Sequence, residues 1–173
     1  LERQLFRLGC QTFILDGDAV RQGLCRDLDF SERARHENIR RVGEVARLFA
    51  DAGFICISAC ISPHRAERDI VRELMNDGIF IEVYVNAPLA VCEARDPKGL
   101  YAKARRNQIK DFTGVSSPYQ PPLKPEIELL TDKLTVAEAV EKILGHLEKT
   151  CGLGSKSAGK KDGAPSPIRW TDW

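Results

Sequence analysis

Residues 13–18 read FILDGD, an apolar strand that stops at two carboxylates flanking a glycine. Outward from it, helix and strand signals alternate. Upstream, residues 1–8 have the pattern of an amphipathic helix end, closed by Gly9 just past the last turn. Downstream, residues 19–24 form a short helix, and Ser31 is placed to cap a long one whose apolar stripe is Ile39, Val42, Ala46, Phe49 and Ala50. Gly53 ends that helix, residues 54–59 form a buried strand, and Ser62-Pro63 reads as the N-cap and first position of the next helix. Strands at 79–85 and 126–130 and helices at 88–94, 99–107 and 136–148 follow, with a turn-rich loop over 112–125. Strands separated by helices predict an α/β fold, a parallel sheet with helices on both faces.

At 173 residues the chain is long enough for one domain with a sizeable core, expected over residues 1–150. After Thr150 the composition turns to Gly, Ser, Lys and Pro without periodicity, so residues 151–173 are expected to be a disordered tail. A formal net charge of +1 argues against a nucleic-acid partner held by bulk charge. The six cysteines are scattered, with no CxxC pair and no metal-ligand spacing, which predicts a reduced, cytoplasmic setting and no protein-ligated metal. No run approaches a membrane span of about 18 apolar residues, so no membrane partner is expected.

Parallel α/β sheets bind ligands beyond the carboxyl ends of their strands. Asp16 and Asp18 stand at such an end, where a carboxylate can hold Mg²⁺ through water or accept a proton from an attacking hydroxyl. Equally, Asp18 could simply cap the 19–24 helix, with Gly17 turning the backbone. Arg21, Arg35, Asn38, Arg40 and Arg41 offer guanidinium forks and an amide that match phosphate and sulfate oxygens. The competing reading is a solvated helix face laced by Glu37–Arg41 and Arg40–Glu44 pairs. Ser62 could bind substrate or be phosphorylated, or only cap its helix. The run EARDPKGLYAKARR over residues 93–106 brings Lys98, Lys103, Arg105 and Arg106 together as a mobile cationic lid. Phe30 and Phe112 lie in polar loops, where stacking on a purine and ordinary core packing both account for them.

In order and spacing, the motifs DGDAVRQGL, FSERARHENIRRVGEVARLFADAG, ISPHRAERD, FIEVYV, CEARDPKGLY and FTGVSSPY closely resemble adenylyl-sulfate kinase. The resemblance extends over residues 1–150 and implies the P-loop kinase fold. It implies transfer of the γ-phosphate of MgATP to the 3′-hydroxyl of adenosine 5′-phosphosulfate, giving 3′-phosphoadenylyl sulfate (PAPS) in sulfate assimilation. Mg²⁺ is then the cofactor, ATP and adenylyl sulfate are the ligands, and a homodimer is a possible assembly. Asp18 would be the carboxylate near the 3′-hydroxyl, with Asp16 beside it on the substrate side. Arg21, Arg35 and Asn38 would hold the phosphosulfate. Phe30 and Phe112 would sandwich the adenine, Ile61 and Ser62 would complete the pocket, and Lys98 and Leu100 would belong to the lid. Ser62 matches a serine described in some members as a phosphoserine intermediate, although direct in-line transfer suits the fold better.

Ala19, Gln22, Cys60 and Asn86 depart from the family's usual residues without removing a charged substrate contact. No glycine-rich phosphate loop with Lys and Ser/Thr stands upstream of Phe13. The expectation is therefore a chain that starts inside the helix following that loop, an incomplete kinase, or alternatively a non-catalytic remnant that binds adenylyl sulfate, PAPS or a partner. With the loop's strand expected inside the sheet, strands 12–15 and 54–59 should pair, and strand 79–85 should lack a neighbour on one side.

Overall fold

A computed structural model describes residues 1–75 and 79–153. The order is α1 (Glu2–Arg7), β1 (Thr12–Asp16), α2 (Gly17–Gln22), α3 (Glu32–Asp51), β2 (Ile55–Ala59), α4 (Arg65–Leu74), β3 (Val83–Asn86), α5 (Leu89–Arg95), α6 (Leu100–Arg105), β4 (Ile127–Leu130) and α7 (Val136–Cys151). Every described pairing of these strands is parallel, but the strands form two separate ladders, β1 with β2 and β3 with β4. Among the described residues each of the four strands has one partner.

The first ladder carries the core. Leu15, Val20, Cys25, Val42 and Ala46 are buried together, with Leu28, Val45, Cys56, Cys60 and Met75 packed against them. Helix α3 supplies Val42 and Ala46 because residues four apart stack on one face. Its Gly43 lets α4 come close: a Cβ there would lie 2.8 Å from Cγ2 of Val71. Ser31 caps α3 by accepting the Ala34 N–H at 3.3 Å, as its position predicted. The second ladder buries Ile127 and Leu129, and α7 starts with a reciprocal cap between Thr135 and Glu138.

Three expectations change. The strand at 79–85 shrinks to Val83–Asn86, because the Glu82 N–H donates at 2.7 Å to the Glu126 carboxylate rather than to a strand neighbour. Ser62 caps nothing. It has φ +42, and α4 starts three residues later with His64 as N-cap. Helix α7 continues through Cys151 to a left-handed Gly152, so the predicted tail does not begin at 151; residues 154–173 lie outside the described residues.

Candidate active site

Parallel pairing sets Asp16 opposite Ala59, so the DGD turn and the segment 60–62 share one end of the ladder. Gly17 suits that proximity rather than a sharp turn: a Cβ would stand 3.1 Å from the Ala59 carbonyl oxygen, a tight contact. Asp16, not Asp18, caps α2, accepting the N–H groups of Asp18 at 3.0 Å and Ala19 at 3.1 Å. The Asp18 carboxylate is left exposed and receives the ammonium of Lys98, whose pKa is raised by that hydrogen bond. Lys98 is presented by a turn in which Asp96 accepts the N–H groups of Tyr101 at 3.1 Å and Ala102 at 3.0 Å. The bond from Ala102 holds the Asp96 carboxyl below its ordinary range. The predicted lid thus touches the predicted strand-end carboxylate.

Arg21 projects from α2, donates to the carbonyl of Asp29 at 3.0 Å, and lies 4.4 Å above the exposed ring of Phe30. One turn into α3, Arg35 donates to the Phe30 carbonyl at 2.9 Å and to Thr113 Oγ1 at 2.7 Å, and also to the Asp111 carbonyl. Its guanidinium therefore joins the backbone around Phe30 to that around Phe112. Phe112 meets Tyr101 edge-on at 5.0 Å, which braces it against α6, where Leu100 begins the helix. Asn38 is 5% exposed, and its Oδ1 has no hydrogen-bond partner among the described residues. A buried, unpaired amide oxygen is costly, and it stands one turn from Arg35.

Arg40 and Arg41 are not part of this anion site. Arg41 forks onto Asp27 at 2.7 and 2.8 Å, and both arginines bind Glu37. Those bonds, from Arg40 first and Arg41 second, hold the Glu37 carboxyl down to about 2. The solvated-face reading holds for this pair. After β2, Ile61 is exposed, and the Ser62 carbonyl accepts from Arg68 at 2.6 Å. Burial pushes the neighbouring Cys60 thiol up, away from the reactive thiolate form.

The sequence reading missed Thr113, Tyr101 and Arg68. Each lies inside a motif already singled out, but only the fold reveals what it touches. No group of three or more His, Cys, Asp or Glu that could hold a metal occurs among the described residues, and none of their helices is long and apolar enough to cross a membrane.

Residues 1–130 match the family described as Adenylylsulphate kinase. The chain belongs to the adenylyl-sulfate kinase family. It is 59% identical over 149 residues to the adenylyl-sulfate kinase of Vibrio parahaemolyticus, covering 86% of this chain and 73% of that one. A probable adenylyl-sulfate kinase of Halalkalibacterium halodurans is 57% identical over 147 residues, covering 85% and 73%. Among solved structures, an adenylyl-sulfate kinase of Mycobacterium tuberculosis in complex with AMPPNP and APS superposes with TM-score 0.80 and 46% identity over 85% of this chain and 86% of that chain. A hexameric kinase of the family from Thiobacillus denitrificans gives 0.61 at 30% identity, over 85% of this chain and 24% of that one. At these identities the likeness extends beyond fold, so the α/β architecture described above is that of the P-loop kinases of this family.

Proposed function

We infer that the protein transfers the γ-phosphate of ATP to the 3′-hydroxyl of adenylyl sulfate, forming PAPS and ADP. Family membership carries the reaction. The observation that carries the site is the Arg35 bridge, which ties the Phe30 loop to the Phe112 loop across 78 residues of sequence.

Phe30 and Phe112 take the adenine between them. Arg21 and Arg35 hold the phosphosulfate, with the unpaired Oδ1 of buried Asn38 free to accept a substrate donor. Ile61 and Ser62 close the pocket on the β2 side. Asp16 keeps the DGD turn in shape through its cap, and Asp18 accepts the proton of the 3′-hydroxyl as the new O–P bond forms. Lys98 moves from Asp18 to the oxygens of the transferred group while the bond to the bridging oxygen of ADP breaks. Ser62 lines the pocket and takes no covalent part.

Mg²⁺ keeps several waters and is held through few carboxylates plus substrate phosphates, so the exposed strand-end carboxylate of Asp18 would hold it through water beside the ATP phosphates. Bound there, it would neutralise charge on the ATP phosphates. All six cysteines are free thiols, which supports a reduced, cytoplasmic setting. A homodimer remains the proposed assembly on the family resemblance alone, to be read by light scattering. The reaction is tested by incubating the protein with γ-labelled ATP. Label recovered in PAPS only when adenylyl sulfate is present supports the assignment, and label released solely as inorganic phosphate contradicts it.

A further inference from the structure

Neither Ser62 nor the loop that carries Phe112 is held by regular secondary structure. Ser62 occupies the left-handed region at φ +42, which a non-glycine residue keeps only where its surroundings impose it. The imposing group is Arg68. Its side chain is 10% exposed, and each of its nitrogens faces an oxygen: Nη1 donates to the Ser62 carbonyl at 2.6 Å, Nη2 to the Gln120 carbonyl at 2.7 Å, and Nε lies 2.6 Å from the Glu82 carboxylate as an ion pair.

The same two segments meet at other points. The Gln120 N–H donates to the Pro63 carbonyl at 2.8 Å. The Arg65 N–H donates to Gln120 Oε1 at 2.9 Å, and Arg65 Nε to the Pro121 carbonyl at 2.7 Å. Tyr119 lies beneath Arg68 at 5.8 Å and stacks on Tyr84 of β3. Two arginines one turn apart on α4 thus strap the far end of the Phe112 loop onto the Ser62 turn. Arg35 secures the near end through Thr113.

We propose that Arg68, assisted by Arg65, is the positioning residue of the adenylyl-sulfate pocket, fixing the Ser62 turn and the 119–121 segment relative to each other. This rests on the site reading given above. Arg68 touches no reacting atom; it ties the Ser62 turn, which lines the pocket, to the far end of the loop that carries Phe112. Arginine is needed because three acceptors in different directions call for a planar fork, whereas lysine offers one compact charge that Glu82 alone would engage. Arg72, one turn further along α4, is the internal contrast. It pairs with Glu82 and Glu126, and its ring contact is Phe80, so it reaches neither loop.

The test is calorimetric titration of the chain with adenylyl sulfate, alongside thermal melts and amide hydrogen exchange. Arg68→Lys is expected to weaken binding about tenfold, since small misplacement of binding groups is costly, with the melting temperature held and the Gln120 amide exchanging faster. Arg72→Lys is expected to leave affinity unchanged. Should Arg68→Lys fail to fold, Arg65→Gln removes the bond to Pro121 and is expected to weaken binding in the same direction at wild-type stability. Wild-type affinity in Arg68→Lys, or in Arg65→Gln where that variant stands in for it, overturns the proposal, as does equal weakening in Arg72→Lys. A wild-type chain that does not bind adenylyl sulfate overturns the site reading and the proposal with it.

Discussion

Lys98 and Asp18, 80 residues apart in sequence, are joined by an ion pair that holds the turn before α6 against the end of β1. Both side chains are solvent-exposed, at 61% and 69%, so the pair adds little to stability and is free to open. An exposed pair at a strand end is suited to exchange partners when a phosphate arrives.

Asp18→Asn keeps the shape and removes the charge. In the proposed role it lowers kcat by about 100-fold, the lower range for general-base loss, while KM for adenylyl sulfate changes far less. Steady-state kinetics with saturating ATP reads the split. An unchanged kcat would leave Asp18 as nothing more than the lysine's partner.

Arg35→Ala removes the bridge between the Phe30 and Phe112 loops together with a charged substrate donor. Affinity for adenylyl sulfate should fall by about 1.5–3 kcal/mol, the range for hydrogen bonds to charged groups. Calorimetry measures it directly, and equal dissociation constants would return Arg35 to a purely structural role.

Gly43→Ala forces a methyl against Val71 at 2.8 Å, where α3 and α4 touch. Overpacking of this kind costs about 1–3 kcal/mol. Urea unfolding of the variant should show a lower midpoint at an unchanged slope; an unaltered midpoint would mean that α4 yields freely.

Glu67 is 4% exposed on α4, with Oε1 lying 3.9 Å from His36 Nδ1 and Oε2 unpaired among the described residues. Burial raises its pKa above the ordinary 4.5, despite the opposing charges of His64, His36, Arg35 and Arg68. A carboxyl raised in the folded state binds more protons folded than unfolded. Its stabilising share is complete below the ordinary value and is lost as pH rises through the folded one. Glu67→Gln should therefore melt about 2–4 °C higher than wild type at pH 8, the response to roughly 1 kcal/mol in a domain of this size. The gap should close by pH 4. Melting curves across that range check it, and a gap that widens toward acid would reverse the sign.

The alternation of strands and helices was legible because apolar periodicity and caps are local signals; Ser31 and Gly53 stand where the sequence put them. The site was legible as a set of motifs, but its wiring was not. Charge runs look alike whether they grip an anion or each other, so Arg35 and Arg41 could be sorted only by what the fold brought beside them: Thr113 and Asp111 for one, Asp27 and Glu37 for the other. Ser62 misled because a serine before proline is a good cap in isolation, whereas Arg68 holds its carbonyl in a turn that local propensity does not favour. Strand 79–85 was overestimated for a related reason: apolar residues extend a strand only where a neighbour accepts their hydrogen bonds.

The most direct test of the central claim is a crystal structure of the protein with adenylyl sulfate bound. The adenine ring should lie between Phe30 and Phe112, the phosphosulfate within hydrogen-bond distance of Arg21 and Arg35, and the 3′-hydroxyl facing Asp18. Adenine density away from both rings, or a phosphosulfate held by Arg40 and Arg41 instead, would contradict it.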